Sequence, residues 1–336
     1  MSSKLAKYPD LAQTLLKNRG ILNEEQAEIF LNPDYERDIH DPFLILNMDR
    51  AVERIMRAMD ANERIVIFGD YDCDGIPGSV VLHDLFKKIG YTNFQNYIPH
   101  RHDEGYGLNI PAIERFAADD VSLMISVDCG ITDVVQTERA NELGIDVIIT
   151  DHHLPQEILP PAFAILNSKQ ADDTYPDNML CGAGVAWKLS CALLIRGREK
   201  WGVPRGWEMW LLEMAGLSTI ADMVPLRNEN RALAYFGLKV LRKSKRLGLL
   251  KLLKKMDMVQ TNIVEDDVGF MIGPRINAAS RMGIPMDAFR LLSSTDDKET
   301  SELAEHLAHL NDVRKGLVAR MVKDARKHLD ARVLND

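Results

Sequence analysis

Three short runs of β-branched and aliphatic residues each end on an aspartate, and this constrains the fold more than any other feature. Ile65-Val66-Ile67-Phe68-Gly69 runs into Asp70-Tyr71-Asp72-Cys73-Asp74-Gly75. Leu123–Val127 runs into Asp128-Cys129-Gly130, and Val147-Ile148-Ile149-Thr150 into Asp151-His152-His153. Two further apolar runs, Phe94–Ile98 and Phe163–Leu166, also read as strands. Segments of helical period separate most of the five, at Val80–Ile89, Ile110–Ala118 and Asp133–Leu143. Strands alternating with helices predict β-α-β units and an α/β fold, a doubly wound, mainly parallel sheet. The carboxyl ends of such strands share one edge, where ligands bind, so three separate loops should deliver carboxylates and imidazoles to one place.

The flanking sequence reads as helical. Residues 1–62 carry Asn23-Glu24-Glu25-Gln26 in the form of a capping box and an apolar face of Ala51, Val52, Ile55, Met56 and Met59. The parallel core is expected over 63–180. A helical part follows over 181–295, with helices near Val185–Ile195, Trp207–Leu217, Arg231–Leu241 and Leu247–Lys255 and an arginine-bearing loop around 273–281. Over 296–336, Leu303, Leu307, Leu310, Leu317 and Met321 predict one long connecting helix, with Asp296 and Glu299 as cap and box partner.

Composition narrows the class. With 46% apolar residues the chain is not disordered, and its longest apolar runs fall far short of the roughly 20 residues of a membrane span. The start of the chain has no apolar signal core, and the four cysteines, Cys73, Cys129, Cys181 and Cys191, include no C-x-x-C pair. That fits reduced thiols, and a cytoplasmic protein with no membrane contact is expected. With 41 Lys+Arg against 50 Asp+Glu, the net charge is −9, so global charge alone would not hold nucleic acid.

The acids themselves are informative. In extended chain, residues two apart share a face, so Asp70, Asp72 and Asp74 can point together. Several carboxylates within a few ångströms cannot all ionise unless a cation sits among them. A lone Asp-x-Asp loop is ordinarily a solvated turn and an isolated His pair ordinarily surface, but three successive strand ends punctuated by Asp make a poor match to chance. Mixed carboxylate and imidazole ligands suit Mn²⁺, with Mg²⁺ an option where oxygens dominate. Two such cations about 4 Å apart would clamp the attacking and leaving oxygens of a phosphodiester.

These motifs resemble a known family. Asp70–Gly75, Val127-Asp128-Cys129-Gly130 and Asp151-His152-His153 are similar to the first three motifs of the DHH phosphoesterase superfamily, and Thr219-Ile220-Ala221-Asp222-Met223-Val224 to its fourth. Ile98-Pro99-His100-Arg101, Glu104-Gly105-Tyr106-Gly107-Leu108 and Gly273-Pro274-Arg275-Ile276-Asn277-Ala278-Ala279-Ser280-Arg281 resemble its RecJ branch, single-strand-specific 5′ exonucleases of bacterial repair. Asn18-Arg19-Gly20 and Asp41-Pro42-Phe43 do so too. The resemblance implies one divalent cation on Asp72 and Asp128 with Asp70 close by. It implies a second on Asp74, Asp128, His152 and Asp222, so that Asp128 bridges. His153 then faces the scissile phosphate, and Asp151 orients an imidazole.

Arg101, Arg275 and Arg281 are candidates for phosphate contacts, Asn277 for a sugar or phosphate oxygen and Tyr106 for stacking on a base. Arg231–Met256 contains no acid and accumulates Lys239, Arg242, Lys243, Lys245, Arg246, Lys251, Lys254 and Lys255, a local candidate for tracking a nucleic-acid backbone. The expected activity is metal-dependent hydrolysis of phosphodiester bonds in single-stranded DNA, 5′ to 3′, in repair and recombination. The rivals are a DHH-type phosphodiesterase acting on short oligonucleotides or cyclic dinucleotides, and a non-catalytic replication scaffold. Relatives of the RecJ branch continue past the long helix into further DNA-binding domains. A separate chain supplying such domains, and other repair or replication proteins, are therefore expected partners besides single-stranded DNA.

Overall fold

The computed structural model describes residues 5–333, with side chains through His328. Four helices precede the sheet: α1 (Asp10–Asn18), α2 (Glu24–Leu31), α3 (Tyr35–Asp38) and α4 (Met48–Asp60). The α/β half then runs β1 (Arg64–Gly69), α5 (Gly75–Lys88), β2 (Phe94–Tyr97), α6 (Ile110–Ala118), β3 (Val121–Val127), α7 (Val134–Glu142), β4 (Asp146–Thr150) and β5 (Ala164–Leu166). All five expected strands form, every pairing is parallel, and their order is β2-β1-β3-β4-β5.

Both faces of the sheet are buried, which is why its strands read as continuous apolar runs. On β1, Ile65 and Ile67 face one core, while Val66 and Phe68 face a second core that also holds Ala112, Ile113, Phe116 and Ala140 of α6 and α7. From β1 the chain moves outward through α5 to β2, then returns across β1 through α6 to β3. The connections therefore leave β1 and β3 in opposite directions and open a crevice between their carboxyl ends.

The rest is helical: α8 (Gly182–Trp201), α9 (Leu212–Ala221), α10 (Asn228–Leu241), α11 (Leu247–Lys255), α12 (Glu265–Asp267), α13 (Gly273–Arg281), α14 (Pro285–Ser293) and α15 (Asp297–Val333). The segment expected as an arginine-bearing loop is thus helix α13, entered through a π-turn at Val268–Ile272. The single helix expected over Trp207–Leu217 divides into a 3₁₀ turn at Trp207–Leu211 and α9. Asp296 caps α15 through the Glu299 N–H (2.7 Å), but the Glu299 carboxylate bonds Ser294 and Arg290 instead of closing a box. At α2, likewise, Asn23 accepts from the Gln26 N–H while Gln26 accepts from Leu22. Along α15 only the first turns pack: Leu303, Ala304, Leu307 and Leu310 are buried, and Leu317, Val318, Met321 and Val322 are exposed. One core runs from Ile45 and Met48 through the α5 face of the sheet to Leu303 and Leu307, so the parallel half and the helical half are packed as one body.

A buried ion pair ties these parts together. Lys188 on α8 and Glu229 on α10 are both fully buried and in contact. Lys188 Nζ donates to the His40 carbonyl (2.6 Å), and Glu229 accepts from the His40 N–H (3.1 Å) and the Tyr175 hydroxyl (2.5 Å). Every charge therefore has a hydrogen-bonded partner, the condition under which a buried pair is tolerated. Lys188→Met strands the Glu229 carboxylate in the core and is expected to cost about 3–5 kcal/mol in urea denaturation. Adding Glu229→Gln should recover much of that loss, and a single variant as stable as the parent would refute this account of the junction.

Candidate metal centre and active-site cleft

The first acidic loop turns directly into α5. Asp72 Oδ1 accepts the N–H groups of Asp74 (2.7 Å) and Gly75 (3.1 Å), which closes the turn into the helix and orients the loop. The Cys73 N–H donates to Asn277 Oδ1 (2.8 Å) and its carbonyl accepts from the Ser218 hydroxyl (3.1 Å), pinning the loop to α13 and α9. A Cβ on Gly75 would lie 2.5 Å from the Asp70 carbonyl oxygen, so glycine is what lets the helix start against the strand end. Cys73 and Cys129 are buried spacers, as their place among hard oxygen ligands suggests.

Asp74 is held from the other side. Its two oxygens accept the N–H groups of Gly182 (2.6 Å) and Ala183 (2.8 Å), the first residues of α8. Two helices, α5 and α8, thus aim their positive ends into the acidic cluster, which favours negative charge there. Gly182 allows this approach: a Cβ on it would meet the Asp128 Cβ at 2.6 Å. Asp128 follows β3 in the left-handed region (φ 63°), an uncommon conformation for a non-glycine residue. Its N–H bonds the Thr150 carbonyl (2.8 Å) and its own carbonyl accepts from the Tyr106 hydroxyl (3.1 Å), which hold the turn in place.

The third loop brings the imidazoles. His152 Nε2 lies 3.1 Å from Asp128 Oδ1, 3.5 Å from Asp74 Oδ2 and 3.7 Å from Asp222 Oδ2. Asp222 arrives from the C-terminal end of α9. Two ligand-like groupings result, Asp70 with Asp72 and Asp128, and Asp74 with His152 and Asp222; Asp128 borders both. A third, Asp128 with His152 and His153, is weakened because Asp151 draws His153 Nδ1 to 2.8 Å. Asp151 is fully buried and accepts in addition from the backbone of Ile131, His152 and His153. It bonds the ring of His153 from behind.

The electrostatics show how poorly such a cluster suits itself. Burial, then the charge of Asp72, pushes the Asp70 carboxyl up to about 8, and burial with the charge of Asp74 pushes Asp222 up to about 7. Asp128 is driven well above the usual carboxylate range by burial and by Asp74, and Asp74 also rises through burial. Burial lowers His152, whereas the Asp151 hydrogen bond raises His153. Burial would raise Asp151 too, but the His153 and backbone donors outweigh it and leave its carboxyl below the ordinary value. Buried Asp70 Oδ1, Asp128 Oδ1 and His152 Nδ1 have no hydrogen-bond partner among the described residues. Orphaned acceptors of this kind, in an all-oxygen set beside an oxygen-and-imidazole set, fit hard or borderline divalent cations.

The cluster forms the floor of a cleft of about 300 Å³ whose walls include Tyr71, Arg101, Tyr106, His153, Asn277 and Arg281. Arg101 lies over the Tyr71 ring, its guanidinium carbon 5.0 Å from the centroid. Tyr106 places its hydroxyl against Asp128 and His153 (3.1 Å to Nδ1) and leaves about half of its surface exposed. Asn277 is a positioning residue for the first loop through its bond to Cys73. Arg275 departs from expectation: it is not on the cleft wall but buried, donating to the Met271 carbonyl (2.8 Å), so it braces the π-turn ahead of α13. Part of the basic run is drawn away from a strand track, while Lys243, Lys245 and Lys254 have no ion-paired acid among the described residues. Arg246 is sunk between Asp84 (2.7 Å) and Glu213 (2.5 Å), Lys251 and Lys255 pair with Asp297 and Glu305, and Lys239 lies over Tyr235. Asp84 stands nine residues along α5 from its start at the acidic cluster, roughly 13 Å at 1.5 Å per residue.

Two contributors were not singled out from the sequence. Asn167 Nδ2 donates to the His153 carbonyl (2.9 Å), and Lys169 Nζ bonds the His152 carbonyl. Both directly follow β5, so the strand-edge rule, extended to that run, would have found them.

The family model for the DHH family, N-terminal domain, matches residues 64–215. The Bacillus subtilis (strain 168) single-stranded-DNA-specific exonuclease RecJ is 42% identical over 94% of this chain and 38% of its own length. A crystal structure of exonuclease RecJ bound to manganese superposes with a TM-score of 0.75 at 33% identity, covering 83% of this chain and 69% of that one. RecJ from Thermus thermophilus in complex with Mn²⁺ gives 0.76 at 29% identity, over 94% of this chain and 46% of that one. The chain spans between 38% and 56% of the length of the first curated relatives it matches. With the motif loops, the sheet order and these likenesses in agreement, the chain belongs to the DHH family, in the branch of the RecJ proteins.

Proposed function

We propose that this chain carries the catalytic site of a divalent-metal-dependent exonuclease that hydrolyses single-stranded DNA stepwise from the 5′ end. The observation that carries the reading is the pair of ligand groupings meeting at Asp128, on the floor of a cleft walled by Arg101 and Arg281. Asp70, Asp72 and Asp128 would hold one cation, and Asp74, His152, Asp222 and Asp128 the other, Mn²⁺ being the better match to the imidazole-bearing set. Such a pair supplies Lewis acidity to a phosphodiester and lowers the pKa of an attacking water.

The protein's own groups do the rest. Asp151 accepts the proton of His153 Nδ1, which leaves Nε2 as the edge free to face substrate. The raised affinity of that ring for a proton makes it a donor to a non-bridging phosphate oxygen. Arg101 and Arg281 offer planar forks that match phosphate oxygens, and the Tyr71 ring restricts the plane of the first. The ring of Tyr106 is exposed enough to meet a base while its hydroxyl holds the Asp128 turn.

The direct test uses single strands labelled at the 5′ or the 3′ end, with Mn²⁺ and with chelator. Mononucleotides should leave the 5′ end first, only with metal, and Asp128→Ala should release none; activity confined to dinucleotides would support the short-oligonucleotide reading instead. Asp151→Asn keeps the shape but weakens the grip on His153, so turnover should fall about 10–100-fold with the fold intact. Unchanged turnover would remove Asp151 from the machinery.

A third expectation concerns pH. Asp70 and Asp222 bind protons more tightly folded than unfolded, so without metal the native state carries the extra protons between their ordinary pKa near 4 and about 7–8. Stability from this source is present at low pH and is lost as pH rises through that window. Ligation requires the deprotonated forms, so Mn²⁺ should raise Tm more at pH 8 than at pH 6. A larger shift at pH 6 would contradict the ligand assignment.

A further inference from the structure

A second polar cavity lies away from the metal cluster, at the junction of the N-terminal helices with α10. It holds about 250 Å³ and is lined by Arg19, Gln26, Phe30, Arg227, Asn228 and Arg231 among others. Three arginines on one small cavity is unusual in a protein of net charge −9. Arg19 donates to the Leu15 carbonyl (3.0 Å), and Arg231 donates to the Phe30 carbonyl with its guanidinium carbon 3.7 Å from the Phe30 ring centroid. Both are therefore oriented by neutral groups, and among the described residues none of the three is ion-paired with a carboxylate. Burial and the charge of Arg19 lower the proton affinity of Arg231, while the charge of Glu265, which makes no ion pair with it, acts in the opposite sense. By contrast, Arg246, beside the cavity bounded by Asp84 and Glu213, already has both acids against it and calls for no anion.

Helix α10 starts here with Arg227 in its N-cap position and no side-chain cap. Asp177, packed behind that start, uses its two oxygens on the Met179 and Glu229 N–H groups. Gly20, at φ 74°, turns the chain so that Arg19 reaches the cavity, and a Cβ there would come 3.9 Å from Arg227 Nη1. The volume is below the ~300–1,000 Å³ of sites that engulf a drug-sized ligand, so it suits a phosphoryl group with little attached. Converging guanidiniums match phosphate geometry, and Phe30 supplies an apolar wall.

We infer that the cavity formed by Arg19, Arg227 and Arg231 is a second phosphate-binding site, separate from the cleft over the metal cluster. Arg227 lies five positions after Asp222, so its backbone lies at most ~18 Å from a proposed metal ligand. That places the site within reach of a strand lying in the cleft, as well as of a free nucleotide. The anion assignment stands on this cavity alone; only its extension to a DNA strand rests on the hydrolytic reading.

The test uses the full chain in chelator, where binding is read without turnover. Wild type and Arg227→Gln are compared for a single-stranded oligonucleotide by anisotropy across a salt series, and for dAMP and inorganic phosphate by thermal shift. Among the described residues Arg227 donates no side-chain hydrogen bond, so its removal should leave the urea midpoint in place; Arg19→Gln serves as a second variant. If a strand phosphate occupies the site, Arg227→Gln weakens oligonucleotide binding about tenfold and flattens the salt slope by about 0.7, and Arg227→Lys restores the slope. If a free nucleotide occupies it, dAMP or phosphate raises Tm in wild type and not in either variant. Either result supports the site. Equal binding of all three ligands by wild type and variants overturns it, as does stabilisation by an acidic peptide with no response to phosphate. Because no hydrolysis is measured, a failure here is distinct from a failure of the exonuclease reading.

Discussion

Mutual repulsion among buried carboxylates is the constraint around which this molecule is built. Asp70, Asp74 and Asp128 are all nearly inaccessible to water, and each pushes its neighbours toward the protonated form. A fold that gathers such groups must offset the cost locally. Here the offset comes from the positive ends of α5 and α8, from the backbone donors on Asp72 and Asp74, and from the chemistry of the ligand set, which calls for cations.

The topology is what makes the gathering feasible. Because the chain leaves β1 and β3 in opposite directions, their carboxyl ends border an open crevice, and β4 and α9 can add His152 and Asp222 from the far side. The helical half supports that crevice directly. Asn277 of α13 and Ser218 of α9 hold the Cys73 peptide, while Asp74 is bonded to the first turn of α8. The ion pair of Lys188 and Glu229 then locks α8, α10 and the His40 segment together behind it.

Much of this was legible in the sequence, for identifiable reasons. The five strands form within a few residues of their apolar runs, since strands covered on both faces need unbroken hydrophobic sequence. Asp70, Asp128 and Asp151 were legible because each stands directly after a strand, where chain geometry fixes its place, whereas Asp222, at the end of α9, was named only through the family resemblance. Less legible were residues whose role depends on remote partners. Arg275 and Arg281 lie on one short helix and look alike in sequence, yet one supports a turn and the other faces the cleft. Three cations of the basic run are taken up because Asp84, Glu213, Asp297 and Glu305, scattered through the chain, fold back onto it. Even at α2 and α15 the expected boxes half formed, because Gln26 and Glu299 found other partners.

The sequence by itself determined the parallel α/β class, the edge on which the acidic loops sit and the identity of the acidic and imidazole groups that directly follow its strands. Those follow from periodicity and from what immediately follows a strand, both local properties of the chain. Tertiary structure decided which charges are neutralised and which remain to meet a ligand. It turned Asp151 toward His153, gave Asp74 the start of α8 and sank Arg246, yet left the three arginines beside Phe30 with no ion-paired carboxylate among the described residues. Charge pairing is set by distance in space and by loss of water, and neither is encoded in the order of neighbouring residues.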